Sequence, residues 1–312
     1  VLYAILACAC WGLSFVMPLF APEFSATEIT LGRYFFYGLF SLIVFAGMIL
    51  RGRCRYGMRV WKMAFIFAVT GNVVYYGLEV LGIKMIGSPM VALLFATVPI
   101  CVSLYGNFLE KEFPYSVLAL PLCIVFAGVM IVHVFDVNID PDITLDRFIA
   151  GVLITFSCIG MWVWYAVNNA RFLRTSPVTT SDFNYIIGVW CFVISVVSIP
   201  AFLIAPGTEL HFFASDLTRQ DVVSFVVATA ILGLVASWLG TYFWHQASML
   251  LPTSLLGQLI VAEMILGLTY NYIINMRMPQ WYEITGVLLV IVGVLASLRA
   301  VRIHKEQAIQ LQ

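Results

Sequence analysis

The sequence predicts an all-α membrane protein of ten transmembrane helices, folded as two inverted five-helix repeats with both termini cytoplasmic. Three observations carry that expectation. First, ten mostly apolar windows fill nearly the whole chain, each about as long as the ~20-residue helix that crosses a ~30 Å hydrocarbon core. Second, 62% of the 312 residues are hydrophobic and 10% charged, with mean hydropathy +1.00; soluble domains carry roughly 25% charged residues. No stretch is left for a soluble catalytic domain. Third, the second half repeats features of the first after an odd number of spans, so the two copies run in opposite senses across the membrane.

The windows are residues 2–20, 29–50, 61–83, 89–109, 115–134, 149–170, 183–205, 222–248, 253–274 and 280–300. The first is read as a span and not as a signal peptide, because it has no basic leader and no small-residue cleavage site before Glu23. Pro99 falls in the middle of the fourth span, and Pro18, Pro121 and Pro200 interrupt three others. Proline at membrane depth is tolerated where the freed carbonyls face protein or a cavity, so Pro99 is expected to line a pocket and to act as a hinge. Residues 1–134 are assigned to the first repeat and 149–300 to the second. Residues 135–148 are a periplasmic connector, and 301–312 a cytoplasmic tail. The connector holds Asp136, Asp140, Asp142 and Asp146 but lacks the glycine and closing glutamate of an EF-hand, and is read as a solvated loop.

Basic residues of short loops stay on the cytoplasmic side. With the N-terminus inside, eleven lie there: Arg51, Arg53, Arg55, Arg59, Lys62, Lys111, Arg171, Arg174, Arg299, Arg302 and Lys305. Four lie outside: Lys84, Arg147, Arg219 and Arg277. The net charge of zero gives no reason to expect a nucleic-acid partner. Seven cysteines, six of them within apolar spans, show no C-x-x-C and no histidine at ligand spacing; they are read as reduced hydrophobes, without a metal, disulfide or cofactor. No phosphate-binding G-x-x-x-x-G-K-[ST] is present.

The internal match is weak residue by residue but regular. A shift of 151 sets Trp11 on Trp162, and a shift of 164 sets Ile83–Ser88 on Ala247–Pro252 and Asn107 on Asn271. Secondary transporters built this way place their substrate near the midplane between the halves. Cys10-Trp-Gly-Leu-Ser-Phe-Val-Met-Pro18, Gly87-Ser-Pro-Met-Val-Ala-Leu-Leu-Phe-Ala-Thr-Val-Pro99 and Leu250-Leu-Pro-Thr-Ser-Leu-Leu-Gly-Gln-Leu-Ile-Val-Ala-Glu263 resemble the EamA domains of the drug/metabolite transporter superfamily. Gly32-Arg-Tyr34, Gly71-Asn-Val-Val-Tyr-Tyr76, Asn168-Asn-Ala-Arg-Phe-Leu-Arg174 and Ser237-Trp238 make the chain most similar to bacterial inner-membrane members. The resemblance covers all ten spans. It departs at Met264, where many relatives have proline, and at Asn275, where an acidic residue is common. It implies two EamA repeats and efflux of a small metabolite, typically an amino acid or analogue, through a cavity between spans 1, 3, 4, 6, 8 and 9.

Charge inside a span costs several kcal/mol. Arg33 and Glu79 lie at matching depth near the outer face, and Asp182 and His245 near the inner face on the repeat-mates of the same spans. They are read as an outer gate and an inner gate that form alternately, against the plainer reading of snorkelling to the interface. Glu263 is the deepest ionisable group, ten residues into span 9. Three roles are open to it: a proton carrier, a ligand for a substrate ammonium, or a hydrogen-bonding group between helices. At that level polar and aromatic residues recur at helical spacing: Trp11 and Ser14; Asn72 and Tyr76; Trp162, Tyr165 and Asn169; Trp238 and Tyr242; Ser254 and Gln258. With Pro99 and Glu263 these are the candidate substrate contacts, and helix packing is the alternative for each. Rings, amides and a carboxylate suit a zwitterionic or amphipathic solute better than a sugar phosphate, which asks for several deep cations. The expected function is export of such a solute by alternating access, with a proton as a candidate coupled ion, in a bacterial inner membrane, as a monomer or homodimer. An intramembrane enzyme, a scaffold whose polar faces close on each other, and a transporter of nucleotide-sugars or drugs are the competing readings.

Overall fold

A computed structural model describes residues 1–52, 56–95, 97–111, 113–134, 143–204, 210–213, 217–276 and 278–310. Among these, ten helices are long and apolar enough to cross a membrane: α1 Leu2–Phe20, α2 Ala26–Leu50, α3 Met58–Ile86, α4 Met90–Glu110, α5 Tyr115–Val132, α6 Leu145–Thr175, α7 Thr180–Phe202, α8 Arg219–Leu250, α9 Thr253–Asn275 and α10 Trp281–Ala300. Every expected window coincides with one of them. Arg53, Cys54, Arg55, Arg277 and the acidic stretch Asp136–Asp142 lie outside the described residues. Ten crossings put both termini at one end of the bundle, here the terminal end; the other is the distal end.

Local chemistry sets where the helices start, stop and break. Ser25 and Glu28 form a reciprocal capping box ahead of α2, and Thr218 and Asp221 do the same for α8, so the free N–H groups of each first turn are bonded. α4 and α9 both end on a left-handed residue, Lys111 and Met276, each with φ 49°. Both helices are also broken at mid-depth. α4 runs as Ser88–Phe95 and then Val98–Glu110, with Pro99 in the first turn of the second piece; α9 runs as Thr253–Leu259 and then Ala262–Asn275. The second pieces start 164 residues apart, which is the shift that aligned the sequence with itself. α3 and α8 share a different irregularity, a π-helical segment at Val69–Val73 and at Leu232–Leu239.

The helices pair according to the repeat. α2 packs along α7, α5 along α10, α3 along α6, and α1 along α8. The α5–α10 seam is closed by glycines: a Cβ on Gly286 would lie 2.5 Å from the Gly128 carbonyl oxygen. Bare backbones can therefore meet, and dispersion replaces a hydrophobic force that lipid does not supply. One symmetry-related pair of contacts is unequal. Val98–Glu110 lies against Thr253–Leu259 at the terminal end, where Ser103 Oγ donates to the Ser254 carbonyl at 2.8 Å. The mirror contact, between Ser88–Phe95 and Ala262–Asn275, is at most marginal. The bundle is closed at the terminal end and parted at the distal end.

Candidate functional site

That parting opens a cavity of about 510 Å³ running from mid-depth to the distal end. Its walls come from α1, α2, α3, α4, α6, α8 and α9, with Val129 of α5 at the edge. Each contribution follows from a local departure from regular helix. α1 changes from α to 3₁₀ geometry at Leu13, which turns Trp11, Ser14 and Phe15 inward. In α3 the π segment places Gly71 and Asn72 on the cavity with Tyr75, Tyr76 and Glu79 above them. Asn72 Nδ2 donates to the Phe67 carbonyl at 3.2 Å, bonding an oxygen five residues back. The breaks of α4 and α9 bring Pro99, Ile260, Val261 and Glu263 to the wall.

Arg33 is the cation of the site. Its Nε donates to Ser237 Oγ at 2.8 Å and its Nη1 to Ser14 Oγ at 3.2 Å. The guanidinium carbon lies 5.6 Å from the centroids of both the Tyr34 and the Tyr76 rings, within cation–π reach. Two serines hold the fork at Nε and Nη1 on the cavity wall, an arrangement suited to a planar anion. Glu79 and Glu263 line the same cavity, and Glu263 interacts electrostatically with both Glu79 and Arg33. Below them Trp11 and Trp162 form the floor, with ring centroids 6.4 Å apart, and the buried Trp244 packs against them at 5.2 and 6.4 Å. Tyr75 extends the aromatic wall to Trp162 at 6.5 Å and to Phe95 at 6.3 Å.

Of the residues expected from the sequence, Trp11, Ser14, Arg33, Asn72, Tyr76, Glu79, Pro99, Trp162, Tyr165 and Glu263 meet at this cavity. Six do not. Trp238 and Tyr242 stack on each other at 6.4 Å on the α7 side, with Tyr185 6.2 Å from Trp238. Ser237 and Thr241 face the cavity, and Trp238 and Tyr242, each one position further along α8, turn to the neighbouring face instead. Asn169 and Gln258 are fully buried beneath the floor, not in the cavity. The expected inner gate is not made: Tyr56 OH donates to Asp182, and His245 Nδ1 lies 3.4 Å from the Thr180 carbonyl with its ring against Phe183. The outer pair shares the cavity but forms no ion pair, since the described bonds of Arg33 go to serines.

The terminal end is held by a different pair. Arg174 of α6 donates through Nη1 to both carboxylate oxygens of Glu110, at 2.9 and 2.8 Å, and to Thr253 Oγ1 at 3.1 Å. Nε and Nη2 donate to the Ser248 and Leu251 carbonyls. Four helices are tied by one side chain. The sequence analysis counts Arg174 among the basic residues of the inner side and does not single out Glu110, because nothing in spacing relates residues 64 apart. Tyr34, Tyr75 and Ser237 were also missed as wall residues, although their neighbours in the sequence were not.

Comparison with known proteins agrees with this architecture. Residues 1–134 match the EamA-like transporter family. Over 316 aligned residues, 96% of this chain and 95% of the other, the chain is 32% identical to inner membrane protein YtfF of Escherichia coli (strain K12). A solved crystal structure superimposes with TM-score 0.75 over 97% of both chains at 17% identity, which speaks for the fold alone.

Proposed function

Since the chain belongs to the EamA-like transporter family of the drug/metabolite transporter superfamily, we propose that it exports a small zwitterionic, partly apolar solute of the amino-acid type by alternating access through the cavity between its repeats. It is a multi-pass protein of the inner membrane, as is the E. coli relative. The observation that carries the reading is the composition of one wall. A serine-fixed guanidinium and two carboxylates share a cavity with eight aromatic side chains, among them Trp11, Tyr34, Tyr75, Tyr76 and Trp162. A solute carboxylate fits Arg33, an ammonium fits Glu263 or Glu79, and an apolar side chain fits the rings. The volume lies within the roughly 300–1,000 Å³ of small-molecule sites. A scaffold would instead close its polar faces on each other.

The excess of basic residues at the terminal end supports a cytoplasmic location for that end. The cavity is then open to the outside, and the Arg174–Glu110 tie closes the cytoplasmic side. Transport requires the second arrangement, with the tie broken and the distal mouth shut. Glu263 serves either as ammonium ligand or as the carrier of a coupled proton. Comparing metabolites in the medium of cells with and without the protein names the candidates. Counterflow of an enriched compound into proteoliposomes then tests them; no enrichment of any amine or carboxylate would sink the reading.

A further inference from the structure

We propose that Asn169 and Gln258 are the polar lining of the terminal-side half of the solute path, a second station that takes water and the solute's hydrogen-bonding groups once the Arg174–Glu110 tie opens. The proposal rests on the alternating-access reading. Both side chains are 0% exposed, and in each the amide nitrogen and oxygen have no hydrogen-bond partner. Such groups are costly to bury and are ordinarily satisfied, so two complete amides left idle in one state point to use in another.

Their places along the chain say which use. On α6, Tyr165 lines the cavity, Asn169 lies one turn further toward the terminal end, and Arg174 of the tie follows. On α9, Ile260 lines the cavity, Gln258 lies below it, and Thr253 meets the tie. The repeat gives the same answer independently. Under the 151 shift Trp11, Ser14 and Pro18, all on the cavity wall, map onto Trp162, Tyr165 and Asn169; the first two of these line the cavity and only Asn169 is shut in. Under the 164 shift Val91–Phe95, which borders the open distal half, maps onto Leu255–Leu259, the buried stretch that holds Gln258. Asn169 thus occupies, in the closed half, the place that Pro18 occupies on the open wall, and Gln258, whose own mate is Leu94, lies in the stretch whose counterparts Val91, Ala92 and Phe95 border the open half. An inverted repeat that exchanges its two arrangements exposes them together.

The test uses the full chain in proteoliposomes and a membrane-impermeant cationic methanethiosulfonate, with labelling read on the peptide that carries the introduced cysteine. Single cysteines go to positions 169, 258 and 247, with and without Glu110→Ala; Ala247 is the mate of the wall residue Ile83 and has no part in the station. Breaking the tie should raise labelling at all three by about tenfold, the effect of losing a bond of ordinary strength. Replacing both amides by leucine should cancel the rise at position 247, and Asn169→Gln with native Gln258 should keep it, because the amides are what wet the path. Undiminished labelling of Ser14→Cys from the distal side shows that the leucine variant is folded. If position 247 opens while 169 and 258 stay protected, or opens equally with two leucines, the station is wrong and alternating access stands. If none of the three opens, the terminal-side opening itself fails and the proposal falls with it.

Discussion

Arg174 and Glu110, 64 residues apart, meet through a single nitrogen placed 2.9 and 2.8 Å from the two carboxylate oxygens, while the rest of the fork holds the Ser248 and Leu251 carbonyls where α8 ends. The side chains are 26% and 15% exposed, so solvent weakens the pair, and the tie gains most from its geometry. Arg174→Lys keeps the charge and loses the fork. We expect it to shift the population toward the terminal-open form about tenfold, for the loss of roughly one charge-assisted bond, measured as cysteine accessibility from each side. An unchanged ratio would mean that the charge alone suffices.

Gly257 offers a second way to loosen the same end. A methyl there would lie 2.7 Å from the Ser103 backbone nitrogen and 3.0 Å from the Pro99 carbonyl oxygen, and backbone cannot move aside as a side chain can. Gly257→Ala should wedge α9 from α4 and lower the melting temperature of the purified protein, with overpacking of this kind costing about 1–3 kcal/mol. Wild-type melting and accessibility would show that the contact is slack.

Arg33 should govern affinity for the anionic end of the solute. Arg33→Lys leaves the charge but neither the bond to Ser237 nor a planar fork, and should weaken binding about 10- to 100-fold, as expected when a charge-assisted bond is lost. Esterifying the solute's carboxylate should cost the native protein the same factor and the lysine variant little. Equal sensitivity of the two proteins to the ester would place the carboxylate elsewhere.

Glu263→Gln separates the roles open to that residue, since glutamine keeps size and hydrogen bonding but cannot titrate. Loss of the dependence of flux on a pH gradient with affinity retained identifies a proton carrier. Affinity weaker by about tenfold or more identifies an ammonium ligand. Wild-type behaviour in both assays would reduce it to a packing group.

Much of this architecture was legible because the membrane makes a helix announce itself. Apolar length fixed the ten spans, and Pro99 marked the break in α4; the break in α9, where Met264 stands in place of proline, was not expected, although its second piece starts 164 residues after that of α4. Within the site, legibility followed helical regularity. Trp11 with Ser14 and Trp162 with Tyr165 lie on α-helical spacing and were found together. Ser237 with Thr241 and Trp238 with Tyr242 share the same spacing, so periodicity could not say which of the two adjacent faces of α8 meets the cavity, and Ser237 was passed over for its neighbour. Asp182 and His245 were paired by depth alone, but depth says nothing of azimuth: one meets Tyr56 and the other the Thr180 carbonyl. The Arg174 tie depends on where three connectors converge, which no local pattern encodes.

Orientation is open to direct test. Gln280 is exposed at the distal end and Thr175 at the terminal end. With the termini in the cytoplasm, an impermeant maleimide added to intact cells should label Gln280→Cys above the parent protein, and Thr175→Cys only after lysis. The reverse pattern would turn the cavity toward the cytoplasm and the proposed direction of transport with it.

The two helix breaks differ in a way that bears on the balance between the two arrangements. In α4 the break precedes Pro99, which has no N–H and cannot rejoin the ladder. In α9 the break lies at Ile260 and Val261, both of which keep their N–H groups, and Cys8 Sγ leans on the freed Leu259 carbonyl at 3.4 Å. One hinge is permanent and the other can mend. The halves of this protein are therefore alike in shape and unlike as springs. If the proposed exchange of arrangements mends the α9 break and leaves that of α4 open, the two end states differ by backbone hydrogen bonds and hence in enthalpy, and the ratio of their populations will change with temperature.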